Sequence, residues 1–384
     1  MYGAELIDAL HRKEPSLNFF GVGGDRMRAA GCETVVDAKD LSVVGITEIL
    51  SHLPEIYGLF RKLIREADTR RPDLAVVIDS PAFNWRVARK MRERGVPVVY
   101  YVCPQFWAWR QGRVKLLRKY VNKALVIFPF EEKFYRDRGV DASFVGHPLS
   151  DLPIPAITRE EYAKGQKLDP AKHWITIMPG SRRKEVRMNF PAILEAVRML
   201  GASYEFLLPV APTLDRSFIA GFLHEARNIH LLPEALPALH HSRAGIIASG
   251  TATVEAAMMG LPFVMVYRVT KLTYLLGKPR VKIPFFAMVN LIAGEKIVTE
   301  LVQDDFTAGN VVERVEELVV DGPVRVKMIA DFARVKGCLQ GPLGSPLHPA
   351  ERAAERIFTL LEQSAEDGYR GPKNHVSCPP ASFK

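Results

Sequence analysis

Cysteine is scarce in this chain: there are four in 384 residues, and no two of them form a CxxC pair. This spacing excludes a disulfide framework and a structural zinc site, and it is typical of a reducing compartment. The chain also lacks an apolar run of about 18 residues, and its N-terminus lacks a basic segment followed by an apolar core. We therefore expect a cytoplasmic protein without a signal peptide or membrane-spanning helix, which could at most lie on a membrane surface.

Two binding signatures are also missing. No Lys/Arg-rich block or RNA-binding motif accompanies the net charge of +9, so we expect no nucleic-acid partner. The basic surplus instead favours an anionic membrane surface or phosphorylated substrates. The dinucleotide fingerprint GxGxxG with a following acidic residue is absent, and the GVGG sequence at 21–24 is only a partial echo of it. This argues against a nicotinamide-dependent enzyme.

The chain does contain a sustained alternation of apolar strands and amphipathic helices, which predicts an α/β protein of about two domains. We place an N-terminal domain at 1–148, a proline-containing linker at 149–170 and a second domain at 171–336. A Gly/Pro-rich linker and a last helix follow at 337–363, and a disordered tail at 364–384. Two such halves predict the GT-B architecture, in which two Rossmann-like domains face each other across a cleft.

The stretch 245–268 (GIIASGTATVEAAMMGLPFVMVYR) predicts a buried strand at 245–248, a small-residue turn, a helix and a second strand at 263–267. The turn Ser249-Gly250-Thr251 would present backbone N–H groups at a helix N-terminus, which suits a phosphate. Glu255, one helical turn after Thr251, would then reach ribose hydroxyls. An ordinary crossover with a helix cap and an exposed Glu explains the same pattern equally well.

Nine short motifs follow one another along the chain, from near the N-terminus to its last third. They are GVGGDRM (21–27), LSVVGITEIL (41–50), IDSPAFN (78–84), YVCPQFWAWR (101–110), FPFE (128–131), VGHPL (145–149), MPGSRRKEV (178–186), ASGTATVE (248–255) and NLIAGEKIVTELVQ (290–303). In this order they resemble the lipid-A-disaccharide synthase family of inverting GT-B glycosyltransferases.

The resemblance implies a reaction. UDP-2,3-diacylglucosamine would donate its glucosaminyl unit to the 6-hydroxyl of 2,3-diacylglucosamine 1-phosphate, which yields the β-1,6-linked lipid A disaccharide 1-phosphate and UDP. No cofactor and no metal are expected, and the sequence has no Asp-x-Asp pair or His cluster at a cleft position to bind one. Backbone N–H groups and arginine would then offset the diphosphate charge.

The chain also departs from the family pattern. The family's first strand and its Gly-Glu-x-Ser-Gly-Asp loop are not found before the helix that begins at Tyr2, so we expect an N-terminal sheet that lacks its first strand. Ala82 stands where the family usually has Asp, and Val289 where it has Pro. Two alternatives follow: a truncated, catalytically impaired member that still binds UDP or lipid, or another UDP-sugar enzyme of GT-B fold.

The resemblance and the residue types together suggest roles in the cleft. Asp79 follows a buried strand and is the candidate general base; a carboxylate that caps the next helix is the alternative. For Asn290 we weigh a donor contact equally against a helix N-cap. The predicted nucleotide and donor contacts are Gly180, Ser181, Arg182, Ser249, Gly250, Thr251, Glu255 and Asn290.

Acylated substrates require apolar contacts, and two regions are candidates. Trp107 and Trp109 could hold an acyl chain or sugar ring, although alternating aromatics after a strand more often belong to the core. The helix predicted at 48–67 could face the core or dip into acyl chains, and for the membrane reading the candidates are Leu59, Phe60 and Leu63.

A second basic and apolar stretch at 268–286 could reinforce membrane binding. Its candidate residues are Arg268, Lys271, Lys278, Arg280, Lys282, Phe285 and Phe286. We therefore expect a peripheral protein on the cytoplasmic face of an anionic inner membrane, and we include a homodimer among the predictions.

Overall fold

The computed structural model describes residues 1–41, 46–223, 228–277, 281, 283–341 and 347–366, and the side chains of 46–53, 276, 365 and 366 lie outside that description. Part of the predicted 41–50 motif therefore lies outside the described residues. The same holds for Lys278, Arg280, Lys282 and residues 367–384 of the predicted tail. The last helix, predicted to end at 363, reaches Glu366.

The N-terminal half is built from alternating helices and strands. These are α1 (Tyr2–Lys13), β1 (Phe19–Gly23), α2 (Asp25–Ala29), β2 (Cys32–Asp37), α3 (Ile46–Arg70), β3 (Ala75–Ile78), α4 (Pro81–Glu93), β4 (Val98–Tyr101), α5 (Val114–Tyr120), β5 (Lys123–Val126), α6 (Pro129–Arg136) and β6 (Ala142–Phe144).

The C-terminal half continues the alternation and ends in three long helices. Its elements are α7 (Arg159–Gln166), β7 (His173–Met178), α8 (Arg183–Leu200), β8 (Tyr204–Pro209), α9 (Arg216–Ala220), β9 (Ile229–Leu232), α10 (Ala235–His241), β10 (Ala244–Ala248), α11 (Ala252–Met258), β11 (Phe263–Tyr267), α12 (Lys271–Gly277), α13 (Met288–Ala293), β12 (Glu300–Val302), α14 (Ala308–Val319), α15 (Pro323–Leu339) and α16 (Pro349–Glu366).

The C-terminal half contains one six-stranded parallel sheet in the order β12-β11-β10-β7-β8-β9. Strand β10 is buried along its whole length because helices cover both faces of the sheet, which is why its sequence is continuously apolar. The strand order reverses between β10 and β7, and in open α/β sheets such a switch point opens a crevice at the carboxyl ends of the strands. The loops that follow β7 and β10 therefore lie where a ligand is expected.

The N-terminal half is divided between two parallel sheets, β1-β2 and β3-β4-β5-β6. Among the described residues, β1 pairs only with β2 and β3 pairs only with β4. The residues of β3 are mostly half-buried, whereas all four of β4 are buried, so β3 behaves as an edge strand. This break agrees with an N-terminal sheet that lacks its first strand.

Two segments differ from the predicted domain boundaries. Helix α7 begins inside the predicted linker, where Thr158 and Glu161 form a reciprocal cap, and Tyr162 packs beside Trp174 of the C-terminal half. Helix α16 returns to the N-terminal half and packs on α1, so the chain crosses between the halves twice. The linker is therefore shorter than the sequence suggested, because apolar residues of α7 pack on the C-terminal half.

Helix α3 corrects the membrane prediction for two residues. Phe60 and Leu63 are buried in the core of the N-terminal half, and the Phe60 ring packs edge-to-face on Phe83 at a centroid distance of 5.9 Å. Leu59 is half-buried against the same core. The proposal that Phe60 and Leu63 dip into a bilayer is wrong because this face of the helix covers β-sheet. Of the described helices, none combines the length and apolar composition needed to cross a membrane.

Candidate active site

Asp79 lies directly after β3, in a strained turn. Asp79 and Ser80 both have left-handed backbones, with φ of 48° and 40°, and non-glycine residues pay of order 1–3 kcal/mol for such conformations. The Asp79 carbonyl accepts hydrogen bonds from Tyr100 Oη and Asn84 Nδ2, each at 2.7 Å, and Asn84 Nδ2 also donates to Ile78 O at 2.9 Å. These bonds hold the turn, which presents an exposed carboxylate at the carboxyl edge of the sheet.

The alternative role of Asp79 as a helix cap is wrong. The N-cap of α4 is Ser80, and no side chain caps that position. The Asp79 carboxylate is therefore not committed to the helix that follows it.

Tyr2, which the sequence analysis treated only as the start of a helix, has its ring 6.3 Å from that of Tyr101 on β4. Burial raises the pKa of its phenol to about 12, and the negative charges of Asp79, Glu5 and Glu255 add to the effect. Asp79 belongs to the N-terminal half and Glu255 to the C-terminal half, so the pKa of this phenol responds to charges on both halves.

In the turn after β7, two backbone N–H groups that we expected to meet a ligand are hydrogen-bonded within the protein. The N–H groups of Ser181 and Arg182 donate to the Glu185 carboxylate at 3.0 and 3.2 Å. This reciprocal cap of α8 places a carboxylate where we expected a phosphate. Gly180, at φ 132°, packs against Glu185 so closely that a side chain there would collide with it. The Ser181 N–H is therefore not available to a diphosphate, and Gly180 allows Glu185 to approach the turn closely.

The Arg182 side chain remains open to a ligand. Its guanidinium pairs with Glu185 at 2.9 Å, yet 82% of the side chain is exposed. The neighbouring Arg183 instead pairs with Asp215 and covers the Phe218 ring. Arg182 is thus the more exposed arginine of this turn.

In the turn after β10, the side chain of one residue is already hydrogen-bonded within the protein, and two residues remain available to a ligand. The Ser249 hydroxyl donates to Phe286 O at 2.9 Å, so it orders the loop before α13. Gly250, at φ 147°, has open space around it, and the exposed Thr251 is the N-cap of α11. Burial raises the pKa of Glu255, whose half-buried carboxyl excludes the interpretation of an exposed surface residue. The turn thus presents Gly250 and Thr251 above a half-buried acid.

Asn290 occupies neither of its two predicted positions. It is fully buried inside α13, whose N-cap is Ala287. Its amide donates to Val298 O and to the Glu300 carboxylate, and its oxygen accepts from the N–H groups of Ile297 and Val298. This leaves the amide no capacity for a ligand. Asn290 instead holds the loop that leads into β12.

The structure places the two tryptophans in different environments, one buried and one exposed. Trp107 is buried against Phe130, and its Nε1 donates to the Glu131 carboxylate at 2.8 Å. Burial raises the pKa of Glu131 to about 7, against the opposing effect of that bond. Trp109 is 45% exposed and lies under the Arg110 guanidinium at 4.1 Å from its ring centroid. Trp109 alone remains a candidate for contact with acyl chains.

Within the described ranges, no group of three or more His, Cys, Asp or Glu side chains is arranged to hold a metal ion.

Comparison with known proteins identifies the family and the fold. Residues 1–335 match the family model described as Lipid-A-disaccharide synthetase. The lipid-A-disaccharide synthase of Koribacter versatilis is 50% identical over 367 residues, which cover 94% of this chain and 96% of that protein. That of Acidobacterium capsulatum is 46% identical, and the match covers 93% of each chain.

Solved structures share the fold at low sequence identity. The calicheamicin glycosyltransferase CalG4 matches with a TM-score of 0.57 at 17% identity, covering 94% of each chain. The kitacinnamycin glycotransferase matches with a TM-score of 0.59 at 16% identity, covering 93% of this chain and 95% of that one. UDP-GlcNAc 2-epimerase from Neisseria meningitidis, bound to UDP-GlcNAc, matches with a TM-score of 0.54 at 14% identity, covering 94% and 95%. These likenesses show the GT-B fold.

Proposed function

Because this chain belongs to the lipid-A-disaccharide synthase family, we propose that it transfers 2,3-diacylglucosamine from UDP-2,3-diacylglucosamine to 2,3-diacylglucosamine 1-phosphate. The products are the β-1,6 lipid A disaccharide 1-phosphate and UDP. The observation that supports the proposed site most directly is the hydrogen-bonded turn that presents the exposed Asp79 carboxylate at the carboxyl edge of its sheet.

In the proposed mechanism Asp79 is the general base. Its carboxylate takes the proton of the acceptor 6-hydroxyl as that oxygen attacks the anomeric carbon of the donor. The new C–O bond forms on the face opposite the departing diphosphate, so the anomeric configuration inverts. UDP leaves with the electron pair of the broken bond. The turn held by Asn84 and Tyr100 supports this role, because it presents the carboxylate at the edge where substrates enter.

The donor site is assembled from the C-terminal half. The Arg182 guanidinium offsets the charge of the diphosphate, and a charge-assisted hydrogen bond of this kind is stronger than a neutral one. Gly250 and Thr251 provide backbone and hydroxyl donors, and Glu255 accepts from the ribose hydroxyls. The open space at Gly250 and the exposure of Arg182 support these assignments.

Disaccharide formation from the two acylated substrates tests the reaction. We expect Asp79→Asn to lower kcat by about 100-fold or more while UDP still binds. The matched control is Asp73→Asn, an exposed residue that precedes the same strand at its opposite end, and it should turn over normally. An Asp79→Asn variant with near-normal kcat would remove Asp79 from the mechanism. Turnover of unacylated UDP-glucosamine derivatives in place of the acylated ones would favour another UDP-sugar enzyme.

The break between β1 and β3 favours a second candidate function, that of a member which binds UDP without turnover. Assays of this chain and of a version extended upstream by the family's first strand and loop separate the two. Turnover by the extended version alone assigns the family reaction to a chain with a complete sheet. UDP binding without turnover in both versions supports the impaired member.

We also place the protein on the cytoplasmic face of an anionic inner membrane. The supporting surface is α12 rather than α3. Leu272 and Leu275 lie one turn apart on α12 and are 66% and 72% exposed. The exposed Lys271 begins the same helix, and 268–294 contains no acidic residue. Arg268, which we predicted to belong to this surface, instead donates to Gln303 O and Phe306 O and covers the Phe306 ring. Apolar side chains beside a uniformly basic segment suit a surface of anionic lipid.

Flotation with phosphatidylglycerol liposomes tests this surface. We expect Leu272→Ser with Leu275→Ser to reduce binding, and we expect salt to weaken the binding of the wild type. Val326→Ser is the matched control, because Val326 is a comparably exposed apolar residue on α15. Equal loss in the control and the double variant would contradict a specific role for α12. The predicted homodimer is tested separately by sedimentation velocity.

A further inference from the structure

The chain passes between its two halves at two places that lie against each other. The first crossing follows β6 and contains Gly146 and His147. The second begins at Leu339, the last residue of α15, and contains Gly341. The His147 N–H donates to Leu339 O at 2.8 Å, which joins the two crossings. Gly146 and Gly341 have left-handed backbones, with φ of 90° and 112°, where a residue with a side chain is strained.

Arg352 of α16 fills the space between the crossings. It is 6% exposed, and its Nε donates to Val145 O at 2.7 Å. Its two terminal nitrogens donate to Gln340 O and to Leu347 O. One guanidinium therefore bonds to a carbonyl of the first crossing, a carbonyl of the second, and the segment that leads into its own helix. A side chain at Gly146 or Gly341 would collide with it.

Arg352 is attached firmly to the N-terminal half. Helix α16 packs on α1, and the pairs Arg12–Glu351 at 3.0 Å and Lys13–Glu355 at 3.2 Å join the two helices. These pairs also occupy the acidic neighbours of Arg352 on α16. Its guanidinium is therefore available to the backbone carbonyls, and its bond to Gln340 connects the N-terminal half to the last residues of the C-terminal half.

We propose that Arg352 is a positioning residue, which sets the angle between the two halves of the cleft by holding both crossings at once. Resting on the proposed function, this inference links Arg352 to the distance between Asp79 and the donor site around Arg182 and Glu255. These groups lie on opposite halves, so their separation follows from the angle at the crossings. A misplacement of about 1 Å can cost an enzyme about 100-fold in rate.

The planar fork of the guanidinium explains why arginine is needed. It can donate in several fixed directions at once, whereas a lysine ammonium is a compact charge that satisfies fewer of these carbonyls. Arg352→Lys keeps the charge and removes the fork. We expect this variant to fold with an angle between the halves that is no longer restrained.

The test measures the distance between the halves directly. Spin labels are placed at Asp137→Cys and Met199→Cys, two exposed positions on opposite halves, after Cys338→Ser and Cys378→Ser. Pulsed electron resonance then gives the label-to-label distance distribution with and without UDP. We expect Arg352→Lys to broaden the distribution in both conditions. Its UDP dissociation constant should stay within about twofold of the wild type, because UDP contacts the C-terminal half.

Steady-state turnover provides a second measurement. We expect Arg352→Lys to lower kcat by about 10- to 100-fold with little change in KM for the donor. The matched control is Arg356→Lys, the same exchange one turn further along α16 at an exposed position, and it should leave both the distances and kcat unchanged.

The outcomes of these measurements test the role of Arg352 separately from the proposed transferase function. An unchanged distance distribution in Arg352→Lys, with UDP binding intact, overturns it. If Arg352→Lys does not bind UDP, Arg352→Gln is measured, and loss of UDP binding in both variants shows a folding role and also overturns it. If the wild type has no turnover, the proposed function fails, while the distance distributions still decide the role of Arg352.

Discussion

The bonds that hold the Asp79 turn lead to a quantitative prediction for Asn84→Ala. The substitution removes the two hydrogen bonds that Asn84 donates to Ile78 O and Asp79 O. A net contribution of about 0.5–1.5 kcal/mol for each bond gives a loss of about 1–3 kcal/mol. This is comparable to the strain of about 1–3 kcal/mol at each left-handed residue of the turn. The remaining hydrogen bond from Tyr100 Oη cannot offset the strain of both left-handed residues, so the turn should relax.

Relaxation of the turn should appear in the rate rather than in donor binding. If the whole loss of about 1–3 kcal/mol weakens the presentation of the carboxylate, each 1.4 kcal/mol is a factor of about 10 in kcat, and kcat should fall by about 5- to 150-fold. Donor KM and UDP affinity should stay near those of the wild type, because the donor contacts the other half. Tyr100→Phe, which deletes the third bond, should lower kcat further when it is combined with Asn84→Ala.

Asn122→Ala provides the control for this experiment. Asn122 accepts hydrogen bonds from Val98 N and Arg92 at 3.0 Å, at the amino end of the same sheet. Its replacement should cost similar stability in urea unfolding and leave kcat unchanged. The reasoning is refuted if Asn84→Ala retains full kcat, or if both alanine variants lose kcat in proportion to their loss of stability.

Three further predictions follow from the site and the core. Arg182→Lys should weaken UDP binding by about 10-fold in calorimetry, since the planar fork is lost; an unchanged affinity would exclude contact with the diphosphate. Phe60→Ser should lower the free energy of unfolding by about 3–5 kcal/mol without changing liposome flotation, and weaker flotation at normal stability would restore the membrane interpretation. Burial lowers the pKa of His147 to about 4, so the unfolded chain binds its proton first. This residue should therefore cost stability as the pH falls from about 6.5 to 4. Urea unfolding should show a shallower acid loss in His147→Asn but not in the exposed control His240→Asn.

The strands and the order of elements could be predicted from the sequence because parallel strands covered on both faces require continuous apolar runs. The strand predicted at 263–267 has the same bounds in the structure, and the run at 245–248 extends by one residue to Ala244. Asp79 and the turn at 249–251 followed from their positions after such runs. The break in the N-terminal sheet followed from the departure from the family pattern.

The outcome at Glu185, Asn290 and Phe60 depended on the tertiary structure. A glycine-serine turn before a helix has the same sequence whether its N–H groups meet a phosphate or the carboxylate of Glu185. The amide of Asn290 is exhausted by a loop seven residues further along, and the burial of Phe60 depends on which face of α3 meets the sheet.

The fold class, the family and the edge of each sheet where chemistry is expected all follow from local periodicity and short motifs, so they can be inferred from the residues alone. Which polar groups remain available to a ligand depends on the packing of the folded chain. Each donor or acceptor forms few hydrogen bonds, and the residues that occupy them come from distant parts of the chain. Arg352 shows this most clearly, since it donates to carbonyl groups of both crossings between the halves.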